Sequence, residues 1–187
     1  MKINILTGVI RANVYEILRT IYIFYGKNCN VGTDKYSLLN MREEKARQYM
    51  TVAQAFAQMS KDPNTKVGCV ILDPETLSVK STGYNGFPRG VNETIASRWD
   101  RETKLRFVSH AEQNSISQSA LSGTSLRNST IVCTMFPCCD CAKSLIQAGI
   151  TRVVTKEPSD ELKTRWGESF QYAKIMFDEA NVVLQYV

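Results

Sequence analysis

Met135-Phe136-Pro137-Cys138-Cys139-Asp140-Cys141, taken with His110-Ala111-Glu112 upstream, is the stretch around which the rest of the chain is arranged. Cys138 and Cys141 form a C-x-x-C pair, and His110 is the only histidine in the sequence. One neutral imidazole and two thiolates suit a tetrahedral zinc ion and leave its fourth position open. An open position marks a catalytic rather than a structural metal, because a water bound there loses a proton near neutral pH. Glu112, two residues past the histidine, is the natural proton carrier. A C-x-x-C pair alone also fits a redox couple, or a structural zinc half-site completed by Cys139, Cys133 or Cys69. The His-Ala-Glu element and the proline before Cys138 turn the balance to the catalytic reading.

Working outward, Pro137 reads as a helix start, since the first helical turn has no use for the amide hydrogen that proline lacks. Ala142, Leu145, Ile146 and Ala148 then follow a helical rhythm up to Gly149. His110 opens a second helical segment, from Ala111 to Leu121, with no proline or glycine before Gly123. Two helix N-termini therefore converge on one metal, and their positive ends favour thiolate and carboxylate there. On a regular helix His110 and Glu112 would lie about 200° apart. They share a site only if the metal sits off the helix end.

The remaining chain reads as strands and helices in alternation. Helical stretches are expected at Glu43–Met59, at Arg98–Phe107 on the surface, and at Asp160–Glu179. Strands are expected at Val67–Leu72, Leu77–Tyr84, Thr130–Met135, Thr151–Thr155 and Val182–Tyr186. This order predicts an α/β fold, a mixed sheet with helices on both faces, its first two strands a hairpin and its later ones parallel. At 187 residues, with 43% hydrophobic and 22% charged residues, the chain has enough material for one full core. Its net charge of +5 is not clustered among aromatics as nucleic-acid binding requires. Six cysteines without a cleavable signal read as reduced thiols, hence a cytoplasmic protein, with Cys69 and Cys133 acting as small buried hydrophobes.

Residues 1–40 differ from the rest. Ile10, Val14, Ile17, Leu18 and Ile21 fit an amphipathic helix, and Arg11, Glu16 and Arg19 argue against a membrane span. We read 1–40 as an N-terminal extension or a misassigned start, and 41–187 as the catalytic domain. An extra helix packed on that domain is the competing view.

The region from Met41 to Val187 resembles the cytidine/deoxycytidylate deaminase superfamily, and its deoxycytidylate branch most closely. The resemblance rests on Ser60-Lys61-Asp62-Pro63-Asn64-Thr65-Lys66-Val67-Gly68, on Gly83-Tyr84-Asn85-Gly86-Phe87-Pro88-Arg89-Gly90, on His110-Ala111-Glu112-Gln113-Asn114, and on Phe136 through Lys143. Zinc nucleobase deaminases carry the same H-x-E and P-C-x-x-C elements. Gln113 departs from the leucine usual in the family. The resemblance implies a three-layer α/β/α fold with a five-stranded mixed sheet, one Zn2+ per subunit on His110, Cys138 and Cys141, and hydrolytic deamination of dCMP. Glu112 would take a proton from the attacking water, pass it to N3 of the cytosine, and help the amine leave as ammonia. Ala111 would hold the ring O2 through its amide, Asn85 would contact the sugar, and Phe136 would line the base pocket.

For the phosphate, Asn64 and Lys66 are the leading candidates, with Arg89 and Lys156 behind them. The resemblance further implies a homo-oligomer, commonly a hexamer, activated by dCTP and inhibited by dTTP, with Mg2+ on the triphosphate. Arg89, Gly90 and Asn92 are the candidate effector residues. The alternative is a base deaminase acting on single-stranded nucleic acid or tRNA. It would need a basic channel with stacking aromatics. Tyr84, Phe87 and Trp99 near Arg89, Arg98 and Arg101 are its only candidates, and Glu93, Asp100 and Glu102 dilute them.

Overall fold

Gly68–Leu72 is buried along its whole length, which makes it a central strand rather than an edge. In the computed structural model, which describes residues 41–187, this strand, β1, lies between β2 (Val79–Tyr84) and β3 (Thr130–Cys133) and is antiparallel to both. β3 pairs in parallel with β4 (Arg152–Thr155), and β4 with β5 (Val183–Tyr186). The strand order is β2-β1-β3-β4-β5. The hairpin and the parallel run expected from the sequence are both present, joined by the β1–β3 pairing. The readings made for residues 1–40 lie outside the described residues.

Side chains alternate across the sheet with the strand period of two. On one face Val70, Leu72, Val132 and Val154 pack with Met50 and Ala53 of α1 (Glu43–Ala57). On the other, Cys69, Ile71, Ile131, Cys133 and Val153 meet three helices, α3 (Ala111–Ser122), α4 (Cys139–Gln147) and α5 (Asp160–Glu179). Fully burying a large apolar side chain contributes about 1.5–3 kcal/mol. A one-residue slip would turn all of them to the wrong face, so the register is firmly specified. Met41 belongs to the α1 side of the core, and the Gln185 amide accepts from its N–H at 2.9 Å and donates to its carbonyl at 2.7 Å.

Several boundaries differ from the sequence reading, most by one or two residues, as where α1 ends at Ala57 rather than Met59. Leu77, expected to begin β2, has φ 58 and closes the turn that the Asp73 carboxylate holds by accepting from the Glu75 and Thr76 amides. Arg98–Phe107 is not one helix. A 3-10 turn, Ala96–Trp99, and a short helix, α2 (Arg101–Phe107), are separated by Asp100 in extended conformation. β3 stops at Cys133 rather than Met135, where the chain leaves the sheet for the segment that leads to Cys138.

Helices approach the sheet very closely at the end where β2 and β3 finish and β1 begins. A Cβ on Gly68 would overlap the Ala53 carbonyl of α1, and a Cβ on Gly83 would overlap the Ala111 carbonyl of α3. Only glycine allows helix and strand to approach this closely. The segments carrying His110–Glu112 and Cys138–Cys141 open at this end.

Candidate active site

His110 and Cys138 are not helical residues but the caps of α3 and α4, with extended backbones (φ −72, ψ 156 and φ −71, ψ 170). This meets the condition set by the 200° offset, because His110 leaves the helix before the first turn while Glu112 sits within it. Gln113, the departure noted above, has a local role here: its side chain accepts from the His110 N–H at 3.5 Å across the first turn. Pro137 stands one residue before the cap rather than at the first helical position, which Cys139 takes. Cys138 can then present its sulfur off the end of α4. The Cys139 side chain is half-buried and its N–H donates to Ser169 Oγ at 2.9 Å, so α5 satisfies one of the unpaired amides of α4.

The three donors converge. Nδ1 of His110 lies 3.3 Å from Cys141 Sγ and 3.4 Å from Cys138 Sγ, and all ligand atoms fall within 4.8 Å of one another. A tetrahedral zinc with ordinary Zn–S and Zn–N lengths spaces a sulfur and a nitrogen about 3.5 Å apart. The donor set therefore fits that ion. The thiol of Cys138 is drawn down to about 4, first by a hydrogen bond from Cys141 and further by His110, whereas sharing with Cys138 and burial push Cys141 up. Two sulfurs competing for negative charge beside an imidazole make a soft donor set suited to a divalent cation. Glu112 is 4% exposed; burial pushes its carboxyl up, against a partial pull from His110.

Buried hydrogen bonds hold the first turn of α3 in place. Ser115 Oγ donates to the Glu112 carbonyl at 2.7 Å, and Ser81 Oγ of β2 donates to the Ser115 carbonyl at 2.7 Å. Cys69 Sγ donates to the Ala111 carbonyl at 3.1 Å. Cys69 and Cys133 are both fully buried, as expected, and face each other in the β1–β3 register.

Above the donors opens a cavity of about 250 Å³. His110, Ala111, Glu112, Cys138, Asn85 and Phe136 all line it, so six of the expected site residues come together. Ala111 is the first residue of α3, so its N–H has no partner within the helix. The Asn85 amide does not cap a local turn. Its oxygen accepts from the Val67 N–H at 2.8 Å, and its nitrogen donates to the Thr65 carbonyl at 2.9 Å and to Asp62 Oδ2 at 3.4 Å. Phe136 is both wall and core: it lines the cavity and packs edge-on against Phe170 at 5.1 Å.

Asn64, Lys66 and Lys156 are exposed and do not line this cavity. Arg89 and Gly90 line a different one, of about 590 Å³. Asn92 is outside that lining as well. Its side-chain oxygen accepts from the amide and the hydroxyl of Thr94.

Asp62, Lys104, Arg165 and Trp166, given no site role from sequence, and Arg101, named only for the nucleic-acid alternative, also line the first cavity. Asp62 is 2% exposed and accepts from the Asn64 and Thr65 amides at 2.9 and 3.0 Å and from Lys104 Nζ at 2.9 and 3.1 Å. Burial pushes its carboxyl up, but these donors together hold it below the ordinary value of 3.8. The spacing of Arg101 and Lys104, one helical turn apart, was the signal available for that pair.

Residues 43–157 match the family described as the cytidine and deoxycytidylate deaminase zinc-binding region. A probable deoxycytidylate deaminase of Caenorhabditis elegans is 36% identical over 177 residues, spanning 91% of this chain and 82% of that protein. Human deoxycytidylate deaminase is 36% identical over 143 residues, 73% of this chain and 76% of that protein. The crystal structure of dCMP deaminase from the cyanophage S-TIM5 in complex with dCMP and dUMP superposes with a TM-score of 0.62 at 27% identity, covering 79% of this chain and 100% of that one. With a family match over more than half of its length and the matching donor set at the head of two helices, the chain belongs to the cytidine and deoxycytidylate deaminase family.

Proposed function

We propose that this chain deaminates dCMP hydrolytically, water and dCMP giving dUMP and ammonia. The observation that carries the reading is the buried Glu112 carboxyl set beside His110, Cys138 and Cys141 at the inner end of a cavity. Relatives named for this activity, one solved with dCMP and dUMP, support the choice of nucleotide.

His110, Cys138 and Cys141 would hold one zinc ion, whose chemistry when bound is Lewis acidity that lowers the pKa of a water in its open position. Glu112 removes a proton from the attacking water, delivers it to ring N3, and serves the departing amine at C4. The unpartnered amide of Ala111 receives the ring O2, and Phe136 and Trp166 flank the base. Asn85, fixed by three bonds, keeps one acceptor site on its oxygen for the sugar.

The reading extends to a cytoplasmic enzyme supplying dUMP for thymidylate synthesis and working as a homo-oligomer, such as a hexamer, activated by dCTP and inhibited by dTTP with Mg2+ on the triphosphate. The second cavity supports an effector site for Arg89 and Gly90: Arg89 donates to Gln118 at 3.1 Å there and Gly90 has φ 83, whereas Asn92, the third candidate, lies outside its lining. Purified zinc-loaded protein incubated with cytidine, dCMP, dCTP and a cytosine-containing oligonucleotide should release ammonia fastest from dCMP. Faster release from the oligonucleotide would overturn the reading. Sigmoidal dCMP saturation that dTTP shifts to higher concentration, and that Arg89→Ala blunts, tests the effector part.

A further inference from the structure

The α5 helix supplies none of the three clustered metal donors, yet one of its faces holds the segment that carries Cys138. Ser169 Oγ accepts from the Cys139 N–H at 2.9 Å, and Phe170 packs edge-on against Phe136 with ring centroids 5.1 Å apart. Trp166, four residues before Phe170, lines the first cavity, and Lys174, four residues after it, falls on the same side of the helix. The ammonium of Lys174 stands 5.6 Å from the centre of the Phe136 ring and 5.9 Å from that of Tyr186 in β5. Those two rings are near-parallel, 19° apart in plane, with centroids 6.4 Å apart. Lys174 makes no hydrogen bond or ion pair among the described residues, so the two rings are the described partners of its charge.

Phe136 and Phe170 line the cavity, whereas Lys174 and Tyr186 do not. Phe136 is buried, but Tyr186 is 41% exposed and Lys174 is exposed as well. The ring that faces the cavity is therefore backed from the solvent side by a cation and a second ring. A ring offers its negative face to a cation, and edge-on and offset-parallel contacts between rings are both favourable. With Phe170 at its edge, Tyr186 alongside and Lys174 over it, the plane of Phe136 is fixed from three directions. Plain core packing accounts for Phe170, which is buried, but it needs neither of the two residues that solvent reaches.

We propose that Lys174 and Tyr186 are positioning residues: from outside the cavity they set the plane of the Phe136 ring against which the cytosine lies. The proposal rests on the reading of Phe136 as a wall of the base pocket in a dCMP deaminase. That ring flanks the base in the ground state and the transition state alike, whereas Glu112 acts on the reacting atoms. Losing the support of the ring therefore weakens both states equally, which raises KM and leaves kcat in place. The base is common to dCMP and deoxycytidine, so both substrates are affected by the same factor.

The test measures kcat and KM for dCMP with zinc-loaded full-length protein, in wild type, Lys174→Met, Tyr186→Ala, Phe136→Leu and the Lys174→Met/Phe136→Leu double variant. Contacts of these two kinds correspond to about a 2- to 5-fold rise in KM for Lys174→Met and about a 2- to 10-fold rise for Tyr186→Ala, with kcat and zinc content at the wild-type values. Calorimetric binding of dUMP should weaken by the same factors. Lys174→Arg and Tyr186→Phe keep the cation and the ring, and should keep the wild-type KM. In the Phe136→Leu background Lys174→Met should add nothing, because the ring through which it acts is gone. A wild-type KM in either Lys174→Met or Tyr186→Ala, a loss confined to kcat, or an equal effect of Lys174→Met with and without Phe136 would overturn the proposal. Wild-type protein that leaves dCMP unchanged would instead overturn the reading beneath it, and that outcome is visible before any variant is made.

Discussion

The inner and outer ends of the cavity are built in opposite ways. The inner end takes His110, Glu112, Cys138 and Cys141 from two short segments, and each residue occupies the cap or first turn of a helix. The outer end joins Asp62, Asn85, Lys104, Arg101 and Arg165 from four separate stretches of chain, with polar side-chain bonds connecting the first three. Chemistry is thus set by backbone geometry: once a residue caps the helix, the direction of its side chain follows. The outer side chains sit on elements that only the complete fold brings together.

Cys141→Ser should give the largest effect and would break the inner end alone. Metal analysis should show zinc lost, and ammonia release from dCMP should fall to background, while cooperative unfolding persists. A variant that keeps both zinc and turnover would remove Cys141 from the site.

Asp62→Ala attacks the outer end. It leaves the largely buried Lys104 ammonium without its partner and strips the Asn64 and Thr65 amides of their acceptor. Losing one member of a buried pair costs about 3–5 kcal/mol, and Lys104 keeps some access to water, so about 3 kcal/mol is expected in denaturant unfolding, with zinc content unchanged. Loss of zinc in this variant would show that the two ends are not independent.

The same carboxylate gives a smaller effect with a definite sign. The folded pKa of Asp62 lies below its ordinary value of 3.8, so its stabilisation is fully present above that value and is lost as pH falls through the folded pKa. The stability advantage of wild type over Asp62→Asn should be constant from about pH 5 upward and shrink below about pH 4. An advantage that grows with acid would reverse the assignment.

The smallest effect is expected from deleting residues 1–40. Met41 is already held through its backbone by Gln185 and packed with Val70 and Val154, so the shortened chain should unfold near the wild-type midpoint and keep its turnover. Aggregation, or exposed apolar surface revealed by dye binding, would show that Ile10, Val14, Ile17 and Ile21 cover part of the core.

What could be read from sequence follows the same division. Sheet, helices and metal donors were legible because they are local: periodicity two or 3.6, a C-x-x-C pair, a lone histidine with a glutamate beside it. The capping of α3 by His110 was foreshadowed by the requirement that the metal lie off the helix end. Asp62 was not legible as a hub, because Asp-Pro-Asn reads as a helix breaker and nothing local connects it to Lys104 in α2. Arg101 and Arg165 looked like surface charge because both are exposed. Only the cavity between α2 and α5 distinguishes them from other arginines. Asn64 and Lys66 were chosen for their place at the mouth of the first strand, and both lie outside the lining of the first cavity.

The central claim is that Glu112 moves protons beside a metal it does not bind. Glu112→Ala, assayed for zinc content and for ammonia release from dCMP on the same preparation, tests this most directly. The zinc content should match wild type, and turnover should fall about 100- to 10,000-fold, the range for a missing general acid–base. Loss of zinc together with activity would make Glu112 a ligand, and retained turnover would place the proton carrier elsewhere; either result contradicts the account.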